Sequence, residues 1–345
     1  MNALSNSAFM RICAGLASCV LFTVGVHFFR PGIAQAPDYP CVKSGSEVIV
    51  HIDTGATGLD IARALFRNKV VKSSEAYFRA AVGDPRSSKV APGDHRLTIG
   101  NCAANVLQQL LDNKRIVGLI NIQEGMWLSE ILPQMQAAGF SQDELTAAMS
   151  QLEKPSGFKV LEGLLFPAQY SFDKDTTALS ALNSMVARAQ DEMNRAGFFT
   201  RNSTFNASQL LIIASLLQAE GKEQDFAKIS QVVRNRLKIG MPLQFDSTVH
   251  YVKKSRGNIF LSTSGTLINS PYNTYRKYGL PPGPINNPGR QAMNAAINPE
   301  PGSWLYFITV APSDTRFTDK LSEFNLWKVE YKKNLRNGLF RGEND

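Results

Sequence analysis

The stretch Leu211–Glu223, LIIASLLQAEGKE, constrains the chain more than any other. It is apolar enough to be a helix only inside the core of a sizeable domain. Counting from Leu210, Ile213, Leu217 and Glu220 recur at the three-four spacing of one helical face, and Gly221 is placed to end the helix. Glu220 thus stands where the pattern calls for another leucine. Helix pattern alone leaves two readings open: a carboxylate on the core side, or one turned to solvent in the last turn. A carboxyl that loses hydration titrates higher and stays protonated near neutral pH, which suits a general acid.

A chain of 345 residues, 43% hydrophobic, has material for more than one core. Its 37 basic and 29 acidic residues give a net charge of +8, which suits an anionic partner. The charge is spread along the chain with no basic run interleaved with aromatics, so nucleic acid is not the expected partner. With four histidines, and neither paired cysteines nor a His-x-x-x-His spacing, no metal site is expected. No cofactor fingerprint occurs either.

Ile12–Phe29 carries no formal charge and is about as long as a minimal membrane span. Ala34-Gln35-Ala36 resembles a signal-peptide cleavage site, but Pro37 follows directly, and an uncleaved anchor is the preferred reading. The basic flanks Arg11 and Arg30 nearly cancel. Cys13 and Cys19 fall in this run; Cys41 and Cys102 lie outside it and can either pair or remain thiols.

The expected organisation is α+β: residues 1–11 as an N-terminal segment, 12–29 as the anchor and 30–46 as a Pro-, Gly- and Ser-rich linker. A small α+β module follows over 47–114. It reads as strand EVIVHI, a helix opened by Thr57 or Asp60, a helix after Ser73, strand DHRLTI and the helix of NCAANVLQQLLDNK. A mixed α/β domain with a cleft then fills 115–345. It includes a helix over Ala178–Ala196, the apolar helix and its amphipathic successor ending at Gly240, a long Pro-, Gly-, Asn- and Tyr-rich segment, a strand in SWLYFITV and a final helix.

EGLLFPAQY, ASLLQAEGKE, VVRNRLKIGMPLQFDSTVHY and SPYNTYRKYGLPPGPINNPG resemble the successive motifs of the YceG-like endolytic murein transglycosylases. The resemblance runs from about Glu47 to the C-terminus. It implies a single-span protein with a cytoplasmic N-terminus, an extracytoplasmic body and a LysM-like module before the catalytic domain. It further implies cleavage of the MurNAc–GlcNAc bond of nascent peptidoglycan to 1,6-anhydro ends, with Glu220 as general acid and base, and peptidoglycan synthases and other elongation proteins as partners. The expected glycan contacts are Asn235, Gln244, Asp246, Tyr272, Asn273, Thr274, Tyr275 and Asn287, whose amides, phenols and carboxylate suit sugar hydrogen bonding and stacking. Three departures stand out: Gln218 where the family has its first glutamate, Ala168-Gln169 where it tends to have Asp-Thr, and Ser247 where it tends to have proline. Two other readings follow from the same residues. One is a muramidase-type hydrolase with Asp246 or Glu162 as second carboxylate; the other is a wall-binding scaffold without turnover.

Overall fold

The computed structural model describes residues 36–173, 175–200, 204–256 and 263–340, and the chain divides into two compact units, the first ending in sequence at Arg115 and the second beginning at Ile116. In the first unit, β1 (Glu47–Ile52) pairs antiparallel with β2 (Gly93–Thr98), Val50 facing His95. Helices α1 (Gly58–Arg67), α2 (Ser74–Gly83) and α3 (Ala103–Leu111) cover the pair. Local chemistry sets their starts. Thr57 accepts from the Asp60 amide while Asp60 Oδ2 accepts from the Thr57 amide, and Ser73 Oγ accepts from the Ala76 amide. Val50, Leu65, Tyr77, Leu97 and Leu107 fill the core. A disulfide joins Cys41 to Cys102, which settles the pairing the sequence left open.

The second unit begins with β3 (Ile120–Ile122), antiparallel to β4 (Ala168–Tyr170), with α4 (Leu128–Ala137) and α5 (Gln142–Gln151) between them in sequence. Then come α6 (Ala178–Ala196), α7 (Ala207–Glu220), α8 (Phe226–Lys238), α9 (Asp246–Lys253), the single turn α10 (Thr263–Thr266) and α11 (Arg290–Ile297). The hairpin β5 (Tyr306–Ala311)–β6 (Asp314–Thr318) and α12 (Leu321–Arg336) follow. All strand pairs among the described residues are two-stranded and antiparallel. Among the described residues the unit is therefore α+β, not the mixed α/β layout expected, because none of their strand pairs is parallel.

Helix α7 is the centre of this unit. Asn206 caps it by accepting from the Gln209 amide at 2.9 Å, and every residue from Leu210 to Leu217 is buried. The expected stripe is absent because α6, α8, α9 and α11 all pack against this unit's core around it. Its six buried leucines and isoleucines contribute about 10 kcal/mol of apolar burial on the usual area scale. The Pro-rich segment is ordered by the same helix. Ser215 Oγ accepts from the Ile285 amide at 3.1 Å, and the Ser215 carbonyl accepts from Asn286 Nδ2 at 2.8 Å.

The expected membrane anchor, Ile12–Phe29, lies outside the described residues, and among those residues no helix is long and apolar enough to cross a membrane. The expected single-span placement, with its cytoplasmic N-terminus and extracytoplasmic body, is corrected on that finding. The physical reason differs between the two best helices. At 14 residues α7 spans about 21 Å, short of a hydrocarbon core of about 30 Å, while the 19-residue α6 carries Arg188, Asp191, Glu192 and Arg195.

Candidate active site

Glu220 is the last residue of α7, where the buried helix reaches the surface of the unit. Gly221 ends the helix in extended backbone, with φ −150°. A Cβ there would fall 2.4 Å from Ile229 Cδ1 of α8, so any larger residue would have to displace the tip of that side chain, and glycine avoids this. The side chain of Glu220 is half-buried, and its Oε1 accepts from the Ser247 amide at 3.4 Å. Burial pushes its carboxyl up to about 7, and the neighbouring Asp246 pushes the same way; Ser247 and the Arg236 guanidinium pull it down. The carboxyl is consequently poised between its two protonation states near neutral pH.

Three segments converge around it. The turn before α9 carries Gln244 at φ +51°, a left-handed conformation uncommon for a residue with a side chain. Thr274 holds that turn: its carbonyl accepts from the Gln244 amide at 3.1 Å, and its Oγ1 accepts from the Phe245 amide at 2.9 Å. Gln244 is exposed as a result, with its backbone committed and its side chain outward. Tyr275 donates its hydroxyl to Asp246 Oδ1, placing a phenol beside the residue that precedes Ser247. Arg236, buried at 6% exposure, donates to the carbonyls of Leu305 (2.7 Å) and Leu243 and so carries its charge into this site.

The structure sets Asp246 and Tyr275 beside Glu220, buries Thr274 as the support of the Gln244 turn, and places the remaining expected contacts elsewhere. Asn235 donates to the carbonyls of Gly302 (3.0 Å) and Trp304 (2.8 Å), which commits its amide to a loop. Asn273 is fully buried; it donates to Thr266 and Ile268 carbonyls and accepts from the Tyr275 amide at 3.0 Å. Asn287 is fully buried too, donating to the Met126 carbonyl and to Glu162 Oε1 and accepting from the Leu165 amide. Tyr272 sits with Trp127, Tyr251 and Glu162 on a separate cavity of about 420 Å³. Its ring centroid lies 5.2 Å from that of Tyr251.

Of the two carboxylates considered for a hydrolytic role, Glu162 is fully engaged and Asp246 accepts at one oxygen. Asp246 takes the Tyr275 hydroxyl. Glu162 accepts from the Leu128 amide at 2.9 Å, Asn287 Nδ2 at 3.1 Å and the Tyr251 hydroxyl at 3.1 Å. Burial pushes Glu162 up to about 7, while Leu128 and Tyr251 hold it down.

Sequence reasoning singled out neither Arg236 nor Glu124. Nothing in the spacing of NIQEGMW marks Glu124, since its role depends on Gln218. The Gln218 Oε1 accepts from the Gly289 amide at 2.9 Å, and the Gln218 side chain favours the ionised form of Glu124. Ser247, noted as a departure, has a backbone N–H where proline has none, and that N–H is the one facing Glu220. Among the described residues, no group of three or more histidine, cysteine, aspartate or glutamate side chains is arranged to hold a metal ion.

Comparison with known proteins agrees with this architecture. An endolytic murein transglycosylase of Bacillus subtilis (strain 168) is 31% identical over 310 residues, covering 84% of this chain and 86% of that protein. One from Streptococcus pneumoniae serotype 2 is 33% identical over 198 residues, covering 54% of this chain and 36% of that protein. The crystal structure of a yceG-like protein from Listeria monocytogenes shares the fold at a TM-score of 0.52 and 24% identity, covering 81% of this chain and 98% of that one. The model of the YceG-like family matches residues 50–329, most of the chain, and the chain belongs to that family.

Proposed function

We propose that the chain is a lytic transglycosylase acting on peptidoglycan glycan strands, with Glu220 as its single acid and base. One observation carries the reading: a half-buried carboxyl held near pKa 7 at the end of a buried helix, met by one backbone amide. The names of the curated relatives point to the same activity.

In the proposed reaction Glu220 protonates the glycosidic oxygen of a MurNAc–GlcNAc bond as the bond to muramic C1 breaks. The muramic C6 hydroxyl attacks C1 and gives its proton to the Glu220 carboxylate, which restores the acid. The products are a 1,6-anhydro end and a free GlcNAc hydroxyl, and no water is consumed. A hydrolase would need a second carboxylate free to act as nucleophile or base. The three hydrogen bonds that occupy Glu162 take it out of that role and favour the single-acid route. Such an enzyme would limit strand length, and the first unit, proposed as LysM-like, would hold glycan.

Incubation of purified glycan strands with the protein, followed by mass spectrometry of the ends, tests this. Anhydromuramyl ends from the native chain and none above background from Glu220→Gln are expected. Reducing ends would favour the hydrolase, unchanged strands would favour the scaffold, and anhydro ends made by Glu220→Gln at the native rate would overturn the assignment.

A further inference from the structure

The 420 Å³ cavity of Tyr272 has no part in the reaction above, and its volume lies in the range of small-ligand sites. Trp127 lines it and also lines a neighbouring cavity of about 340 Å³, whose wall includes Ala219 and Ser247 on either side of Glu220. The indole is fixed in place: the Arg256 guanidinium lies 4.1 Å from its ring centroid, and Tyr251 meets it edge-on at 5.9 Å.

The wall of the larger cavity is short of acceptors. Glu162, its one carboxylate, is already met by Leu128, Asn287 and the Tyr251 hydroxyl, a bond that also commits that phenol. The Tyr272 hydroxyl lies against Gly283, where an added Cβ would fall 2.9 Å from it. Ser270 Oγ accepts from the Tyr272 amide at 3.2 Å, which leaves its O–H to donate. Lys254, directly after α9, is the one cation on the wall, and among the described residues no carboxylate pairs with its ammonium. Leu132 and Val252 add aliphatic surface beside the rings. A sugar ring brings several O–H donors to a wall like this and finds few free acceptors. A short peptide with small apolar side chains and a free carboxylate matches it, methyl groups against the apolar surface and the carboxylate on Lys254.

We infer that this cavity binds a short peptide of small apolar residues by its terminal carboxylate, with Lys254 as the cation. Its source is the peptide carried on the lactyl group of a muramic unit, because Trp127 joins this cavity to the one beside Glu220. Naming that source rests on the glycan-cleaving reading. The site makes the enzyme prefer peptide-bearing strands to bare glycan.

The test is an NMR titration of the full chain, read on the methyl groups of Leu132 and Val252, which line this cavity and not the smaller one. Diacetyl-L-lysyl-D-alanyl-D-alanine is compared with its C-terminal amide, which lacks the negative charge. The acid should shift both sets of methyls and bind about fivefold tighter than the amide, the effect of one partly exposed ion pair. Lys254→Gln should bring acid and amide within about twofold of each other. Ser129→Phe, which narrows the cavity and leaves Lys254 in place, should weaken both by about tenfold. Equal affinity for acid and amide in the native chain, unchanged binding in Ser129→Phe, or methyl shifts with N,N′-diacetylchitobiose and none with the peptide would overturn the site. Peptide-bearing strands should be cleaved with kcat/KM about fivefold above that for strands stripped by an amidase, and Lys254→Gln should bring the two values level. Equal values in the native chain would overturn the preference. A native chain that cleaves neither strand would remove the glycan-cleaving reading and leave the peptide titration standing, so the two failures are distinguishable.

Discussion

Gln218 acts on Glu124 and not on Glu220, favouring the ionised form of the first, although Glu220 is only two residues further along the same helix. A helix turns about 200° over two residues, so the two side chains leave α7 on opposite sides. The family's first glutamate, had it been retained here, would face the Glu124 carboxylate. Burial already pushes Glu124 upward, and Glu223 adds to it. The departure at 218 therefore relieves a like-charge contact and leaves the proposed acid untouched.

Gln218→Glu should restore that contact. Two adjacent carboxylates cannot both ionise without cost, so one of them titrates high and the folded state is penalised once both would be charged in the unfolded chain. Thermal unfolding should show the variant below the native chain at pH 8, by about 1–2 kcal/mol, and level with it near pH 4. Equal melting temperatures at pH 8 would argue against the contact.

Glu220→Gln should remove activity by about a thousandfold or more while making the fold more stable at alkaline pH. The sign follows from the raised carboxyl. A folded pKa of about 7, against an ordinary value of 4.5, means that the native state holds the proton more tightly. Native stability then falls as pH rises from about 4.5 to about 7, a loss the glutamine variant avoids. The gap in melting temperature between variant and native chain should open across that window and stay constant above it.

Asp246 and Ser247 act on Glu220 in opposite directions, which gives a paired test. Asp246→Asn removes a charge that raises Glu220, so the alkaline limb of the rate profile should move to lower pH. Ser247→Pro removes the hydroxyl and the N–H, both of which lower it, and keeps α9, since proline is tolerated in a helix's first turn. Its limb should move to higher pH. Limbs that move together, or not at all, would separate Glu220 from the observed ionisation.

Glu162→Ala should act on stability and hardly on the pH limb. It strands the Leu128 amide, Asn287 Nδ2 and the Tyr251 hydroxyl at once. A loss of about 3 kcal/mol is expected from buried donors left without an acceptor, visible as a lower denaturation midpoint in urea.

Short-range chemistry, legible along the chain, settles the local pieces. Thr57, Ser73 and Asn206 cap helices where their side chains can reach the next free amides, and the three-four run of leucines and isoleucines marks α7 as a helix. The ordered motifs also pick out Glu220, Gln244, Asp246 and the Tyr272–Tyr275 segment. Local signals miss α5, α9 and α11, whose short polar-looking sequences become helices because they pack on the core around α7. Long-range packing, by contrast, chooses which polar groups remain for a ligand. Asn273 and Asn287 look like sugar contacts as residue types, yet partners from 5 to 161 residues away consume their amides. Hydrogen-bond demand is settled by whatever the fold brings within about 3 Å, and for Gln218 and Glu124, 94 positions apart, no spacing rule along the chain encodes that meeting.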